Sequence, residues 1–541
     1  MALVRVDNVG EIGIIRDLSP YEIPPEAWTD GNNVRFFNNK VFKILGHSSA
    51  FVPSIPPYHL LSVRAATENF WAYAGLAKVF ATDQTVHNNI TRQTASVDVD
   101  YAATEDTKWN GGVLNGIPIL NNGFDEPQMW NPPALATRLQ LLSGWSTWPG
   151  GVSTRAKVIR PAFRFFLVAL NITESGTNFP QVLAWSNPAD PGAVPTSWNY
   201  SDPAQDTGRT PIADTNGTLL DLVMMGGRAG IVYKSDSAYL MQLVGGQSVF
   251  SIDVLQGLER IGLLGTDCVK SFPGWHFMVT QDDVIIHNTR EIKSVINSRV
   301  RNSLFDALDP TNRGRSFVVP NYKMREMWFF YVPTGQTQPT KVLIYNWDTG
   351  AIAFRDADSG AFGGIAHAAI GVNRGVSSST WDSDSGTWDS DASIWDVGSS
   401  ALANTTLLMA RHHATSPAAF LVDNTNQFAG TGFTSFVERT GLTIVGRDRQ
   451  GNPKTDNDSV KLVKRIIPRI KGGPVTVYVG RQDRRDGPIT WDNIQAFNPA
   501  TQAELTPYSV GRYPAVRFES VGNVAWELEG YDLDISIVGR Y

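Results

Sequence analysis

Apolar and polar residues alternate with a period of two along most of this chain, as they do in strands with one buried face. Val342 and Ile344 mark a strand at 341–346, and Ala351 and Ala353 mark another at 351–356. Between them, Trp347-Asp348-Thr349-Gly350 makes the turn, and Gly350 supplies the positive φ that closes such a hairpin. A second hairpin spans 36–42, with Asn38-Asn39 at its left-handed turn positions. Residues 475–479 and 533–537 alternate in the same way. Helical signals are short. Pro24-Pro25-Glu26-Ala27-Trp28 predicts a single turn, and 303–308 opens on a capping Ser303 and stops before Pro310. With 48 Gly and 31 Pro as punctuation, the pattern predicts an all-β protein of many short strands.

These strands fall into clusters about 40–60 residues apart, a spacing characteristic of blades. The clusters are 69–73 with 78–81, 112–120, 163–170 with 181–185, 230–233 with 238–243, 274–280 with 283–287, and 325–331 with the hairpin at 341–356. The rhythm predicts a β-propeller core over 48–370, with a pair of packed sandwiches as the alternative. An N-terminal arm and hairpin (1–47) precede it, and a C-terminal β-sheet domain (433–541) ends the chain. The connecting segment, 371–432, is rich in Trp and Asp. Its Trp381, Trp388 and Trp395 recur every seven residues, but Ser, Asp and Gly are poor helix formers, so tight turns are expected there.

Charge and composition narrow the function classes. At 541 residues the chain exceeds one ordinary core. Its formal net charge of −6 is not the basic footprint of a protein that grips nucleic acid. Gly441–Tyr541 is the exception, with fourteen Lys/Arg against twelve Asp/Glu. There Lys461, Lys464, Arg465, Arg469 and Lys471 either face an acidic partner or a phosphate backbone, or are ordinary solvated strand positions. The single Cys268 permits no intramolecular disulfide, suits assembly in a reducing cytoplasm, and reads as a small core residue. There is no run of about 18 apolar residues and no secretory signal at the start, so direct membrane insertion is not expected.

No catalytic constellation emerges. The chain has no Gly-x-Ser-x-Gly elbow, His-Glu-x-x-His helix or phosphate loop, so neither enzymatic activity nor a cofactor is expected. The neighbours His412 and His413 point to opposite faces of a strand, and His276, His287 and His367 read as isolated structural residues. Asp384-Ser385-Gly386-Thr387-Trp388 is similar to the aspartate box of sialidase-type propellers but is one residue short. Asp382, Asp384, Asp389 and Asp391 offer carboxylates to calcium, although the spacing is not that of an EF-hand, and capping of turns is the alternative role.

The order of several motifs carries a resemblance. The stretch from Ile14-Ile15-Arg16-Asp17 through Trp28-Thr29-Asp30-Gly31-Asn32-Asn33-Val34-Arg35-Phe36 resembles the opening of tail-nozzle, or packaged-DNA stabilisation, proteins of short-tailed bacteriophages. Similar stretches follow at Val113–Pro118, Asn121–Trp130, Leu183–Trp198, Ser509–Tyr513 and Gly530–Asp534. The resemblance implies a structural virion protein of the tail: a β-propeller subunit of a hexameric ring that extends and closes the DNA exit channel and opens for ejection. Its implied partners are copies of itself, the portal-adaptor protein, a tail fibre or tailspike, and genomic double-stranded DNA passing through the lumen without sequence-specific contacts. The arm implies docking, with Trp28, Asp30, Arg35 and Phe36 as candidates there and Lys461, Lys464 and Arg465 in the C-terminal region. Two other readings stay open: a propeller that binds or hydrolyses glycans, and a tail adhesin stabilised by calcium.

Overall fold

The computed structural model describes residues 2–65, 68–149, 153–246, 248–360, 363–373, 405–447, 453–485 and 487–540. Strands dominate. The described helices are one α-helix, Arg301–Asp306, and two short 3-10 turns. Seven blades follow one another around an axis, six of them four-stranded antiparallel sheets and the seventh a six-stranded sheet. Their first strands are His59–Arg64, Asn110–Leu114, Arg155–Ala162, Leu219–Met224, Val269–Phe272, Phe317–Asn321 and Ile365–Val372. Each first strand lies beside the next, and the seventh lies beside the first, so the ring is closed. The fold is therefore a β-propeller, which leaves only short, protected sheet edges.

Turn chemistry explains the hairpins. Asn115 and Gly116 sit at φ 50° and 84° between the first two strands of blade 2, the left-handed pair that a two-residue hairpin demands. Asn38 and Asn39, at φ 48° and 59°, do the same in the arm, and Gly350 is at φ 74°. The second strand of blade 6, Glu326–Tyr331, is buried along its whole length, because both faces are packed between neighbouring blades.

The seventh blade lies partly outside the 48–370 span expected for the propeller. Thr405–Arg411 and Ala418–Val422 supply its second and third strands, His47–Phe51 supplies the fourth, and the short strands Gln427–Phe428 and Thr431–Gly432 extend it. Part of the expected connecting segment and the end of the expected arm thus join the propeller. Pairing residues from both ends of the propeller sequence fastens the ring, because separating them requires breaking a whole strand ladder.

The second body is a β-sandwich built from both ends of the chain. One sheet combines Ala2–Val6 and the hairpin Val34–Phe37/Lys40–Lys43 with Trp526–Arg540, Ser459–Gly472 and Ser509–Gly511. The other places Asp30–Asn32 beside Ser435–Arg439, Tyr513–Ser520, Val475–Gln482 and Thr490–Phe497. The arm is thus an integral part of the C-terminal domain. The helix expected at 303–308 starts earlier, and Ser303 does not cap it. Its amides Asn302 N–H and Ser303 N–H donate to the carboxylate of Asp17, at 2.6 and 3.0 Å.

One continuous apolar core runs from the sandwich into blades 4 to 7. Residues 13–36 make the joint. Ile14 N–H donates to Ile352 O, and Arg16 N–H to Arg299 O. The Asn33 amide donates to Asp356 Oδ2 (2.8 Å) and to Thr434 O (2.8 Å). At its centre Arg35 forms a bidentate pair with the buried Glu326 (2.6 and 3.1 Å) and also reaches Asp423 (2.9 Å), whose side chain is largely shielded from solvent. Asn321 and the indole of Trp328 donate to the same two carboxylates. Removing one member of such a cluster leaves charge uncompensated in the interior. Arg35→Ala is expected to lower stability by about 3–5 kcal/mol in urea unfolding; a loss under about 1 kcal/mol, the range of an exposed pair, would show that the joint is solvated.

Candidate functional site

The seven first strands converge on the propeller axis, and polar residues interrupt them at equivalent places. Arg160, from blade 3, grips Asp221 of blade 4 at 2.7 and 3.1 Å and Asp267, just before blade 5, at 2.9 Å. Lys270 completes the group at 2.7 Å from Asp267. Burial pushes the Asp267 carboxyl up, but Lys270, Arg160 and Lys108 outweigh it and hold the group well below the usual carboxylate range. His59 and His367 lie beside them with ring centroids 4.3 Å apart and ring planes tilted by 46°. Burial holds both neutral, His59 at about 4 and His367 well below the ordinary value. Cys268 is fully buried, donates to Ser316 O, and is raised to about 11 by burial, which makes it an inert core thiol.

This ion-paired plug separates two axial cavities. The smaller, about 280 Å³, is lined by Gly111, Arg160, Asp221, Lys270 and Tyr322. The larger is a funnel of about 770 Å³ at the opposite mouth, where the links between blades meet. Thr104, Thr107, Lys108, Lys157, Asn171 and Asn178 are among its polar walls. Asn171 stands at a β-bulge, in the left-handed region at φ 56°. Bulges re-aim a side chain, and strained backbone of this kind gathers at functional sites.

A second buried polar group lies between blades 4 and 5. The Tyr233 hydroxyl sits 2.7 Å from His276 Nδ1 and 2.8 Å from His287 Nε2. His276 Nε2 lies 3.1 Å from Met224 O, which requires a proton on Nε2 and leaves Nδ1 to accept from Tyr233. Tyr233 then accepts from His287 Nε2–H, and His287 Nδ1 has no partner. The expected isolation of His276, His287 and His367 is thus corrected: blade packing brings each beside another histidine. Among the described residues no three His, Cys, Asp or Glu side chains are arranged to hold a metal ion. The calcium candidates Asp382, Asp384, Asp389 and Asp391 lie outside the described residues.

The docking candidates divide by burial. Trp28 is a core residue whose indole donates to Val9 O at 2.7 Å and packs on Phe518 and Tyr531. Phe36 is buried in the same core, and Arg35 is held in the joint. Lys461 is wholly buried, donates to Arg512 O at 2.7 Å, and is lowered to about 8 by burial. These four are therefore unavailable to a docking partner, because they hold this chain together. Asp30 pairs with Arg16 at 2.6 Å, and Arg465 bridges Asp534 and Glu504. Arg469 and Lys471 meet Asp532 and Glu529. The basic cluster is one side of a cross-strand charge ladder. Lys464 is half-buried and has no ion pair among the described residues.

The axial residues were missed in the sequence because no compact motif unites them. A signal was present: Asp221 and Asp267, 46 residues apart, are polar positions one blade apart.

The class defined by this geometry is a seven-bladed propeller fused to a β-sandwich. No family model matches the sequence, and no curated protein matches it. Among solved structures, the chain is similar to BamB from Moraxella catarrhalis, at 7% identity over 54% of this chain and 73% of that one, with a TM-score of 0.29. It is also similar to the WD40 domain of Toxoplasma gondii coronin, at 10% identity over 74% and 90%, with a TM-score of 0.36. A third is YCF48 bound to a D1 peptide, at 11% identity over 58% and 86%, with a TM-score of 0.33.

The buried histidines set a pH dependence. His276 and His287 are lowered to about 4 and about 3 by burial, while an unfolded chain protonates them near the ordinary 6.5. Below pH 6.5 the unfolded chain therefore binds more protons, and stability falls with pH by up to about 1.4 kcal/mol per unit for each histidine. Urea unfolding is expected to show stability level near pH 7 and declining from pH 6.5 to 5, with a shallower decline in His276→Gln. An equal slope in the variant would assign the decline to other groups.

Proposed function

We propose that this chain is a structural subunit of the tail nozzle of a short-tailed phage. Six copies form a ring below the portal-adaptor complex, around a passage for double-stranded DNA. The observation that supports this reading most is the place of residues 14–36, the longest stretch of the resemblance. They form the joint in which Ile14, Arg16, Asn33 and Arg35 bind the sandwich to blades 5 to 7. A wall that contains packaged DNA needs subunits that do not hinge.

In this reading the DNA runs between subunits. The propeller axis is occupied by the plug of Arg160, Asp221, Asp267 and Lys270, so the lumen is enclosed by the ring as a whole. Cyclic rings close through head-to-tail interfaces between different faces of each copy. The net charge of −6 suits a wall that phosphates slide past, because each neutralised phosphate would add affinity and slow passage. A tail fibre or tailspike attaches on the outside of the ring, and the subunit itself makes and breaks no covalent bond.

Electron cryomicroscopy of virions decorated with antibody against this chain tests the reading. The expected result is a sixfold ring at the tail tip. Particles assembled without the chain are expected to package DNA and then release it. A label on the capsid, or retention of the genome without the chain, would refute the assignment.

A further inference from the structure

We infer that the axial funnel of the propeller is a binding site for an acidic oligosaccharide. The inference stands apart from the ring assignment, since it rests on the funnel alone. The cavity, about 770 Å³, has the size of a small-molecule site. Four of its features match one ligand chemistry.

Asn171 is only 6% exposed, lines the funnel, and has no hydrogen-bond partner for its amide among the described residues. Its amide faces the cavity, where a ligand is placed to pair with it. With one carbonyl and one NH₂, it matches adjacent sugar hydroxyls, each of which both donates and accepts. Lys108 is the second feature. Its ammonium donates to Thr266 O at 2.7 Å and Ser316 O at 2.5 Å, which leaves its third N–H unused. No carboxylate lies within ion-pair distance of it among the described residues, and burial lowers its pKa. Lys157, the third, is exposed on the funnel wall and likewise has no ion pair among the described residues. The nearby carboxylates Glu105 and Asp106 are both held by Arg315, at 2.9 and 2.8 Å, and neither reaches the ammonium of Lys108 or Lys157 at ion-pair distance.

Phe124 is the fourth feature. It is 52% exposed at the funnel and offers a flat apolar face to the C–H side of a sugar ring. Its loop is preset: Asn122 Oδ1 accepts from Phe124 N–H (3.0 Å) and Asp125 N–H (2.8 Å), and Gly123 packs against Lys157 at φ 79°. Hydroxyls for Asn171 and the surrounding threonines, a C–H face for Phe124, and a carboxylate for Lys108 and Lys157 together describe an acidic saccharide. Single-stranded nucleic acid fits less well, since its binding grooves stack successive bases on several aromatic rings and this funnel has one.

The test is calorimetric titration of the full chain with tetragalacturonate, a mannuronate tetramer and sialyllactose, against maltotetraose as a neutral control and oligothymidylate as the nucleic-acid control. At least one carboxylated sugar is expected to bind, with maltotetraose about tenfold weaker or more. Asn171→Gly, which tolerates the left-handed backbone, Lys157→Gln and Phe124→Ala are each expected to weaken that binding about tenfold while melting at the native temperature. No binding by any carboxylated sugar at millimolar concentration would overturn the inference. So would equal binding of the neutral sugar, tighter binding of oligothymidylate, or undiminished binding by the three folded variants.

Discussion

Arg35 is the contact on which the rest of the molecule depends. Its guanidinium leaves the sandwich, enters the propeller, and meets Glu326 and Asp423 away from water. Charges in such a place are stable only when geometry and partners are complete, so the cluster tolerates one relative placement of the two bodies. Arg355 lies in the same region, its guanidinium over the rings of Trp328 and Phe428 and its pKa lowered to about 10 by burial. The apolar core continues around this polar centre without a break. Apolar packing holds the two bodies together, and the charge cluster fixes how they are oriented.

Much of the fold was legible from period-two patterning and turn chemistry. The hairpins at Asn38-Asn39 and Gly350 are where the turn residues put them, and six of the blades contain the strand clusters read from the sequence. The seventh blade was hidden because its strands are not consecutive. His47–Phe51 precedes the first blade in sequence yet pairs with Ala418–Val422. Local patterning carries no information about which distant strand supplies the missing edge. The same limit concealed the union of the arm with the C-terminal domain, where Asp30–Asn32 pairs with Ser435–Arg439.

Site residues were harder to read, for a related reason. Trp28, Arg35 and Lys461 look like surface anchors when charge and aromaticity are counted along the chain, but folding buries all three. Conversely, Asn171 and Lys108 stand in ordinary surroundings in the sequence and become conspicuous only when seven strands bring them to one axis. The plug beneath them has a mechanical consequence. Arg160, Asp221 and Asp267 bond blades 3, 4 and 5 across the axis, which stiffens the propeller where its strands are most crowded.

Propeller and sandwich move as one body. The only cysteine, Cys268, is buried, so spin labels placed on Thr94→Cys in the short hairpin that follows blade 1 and Ile494→Cys in the sandwich report alone. Electron–electron double resonance on that doubly labelled chain measures the distance distribution between the two bodies. One narrow distance is expected of such a rigid body, broadening when Arg35→Ala is added. A broad or bimodal distribution in the chain with Arg35 intact would contradict it.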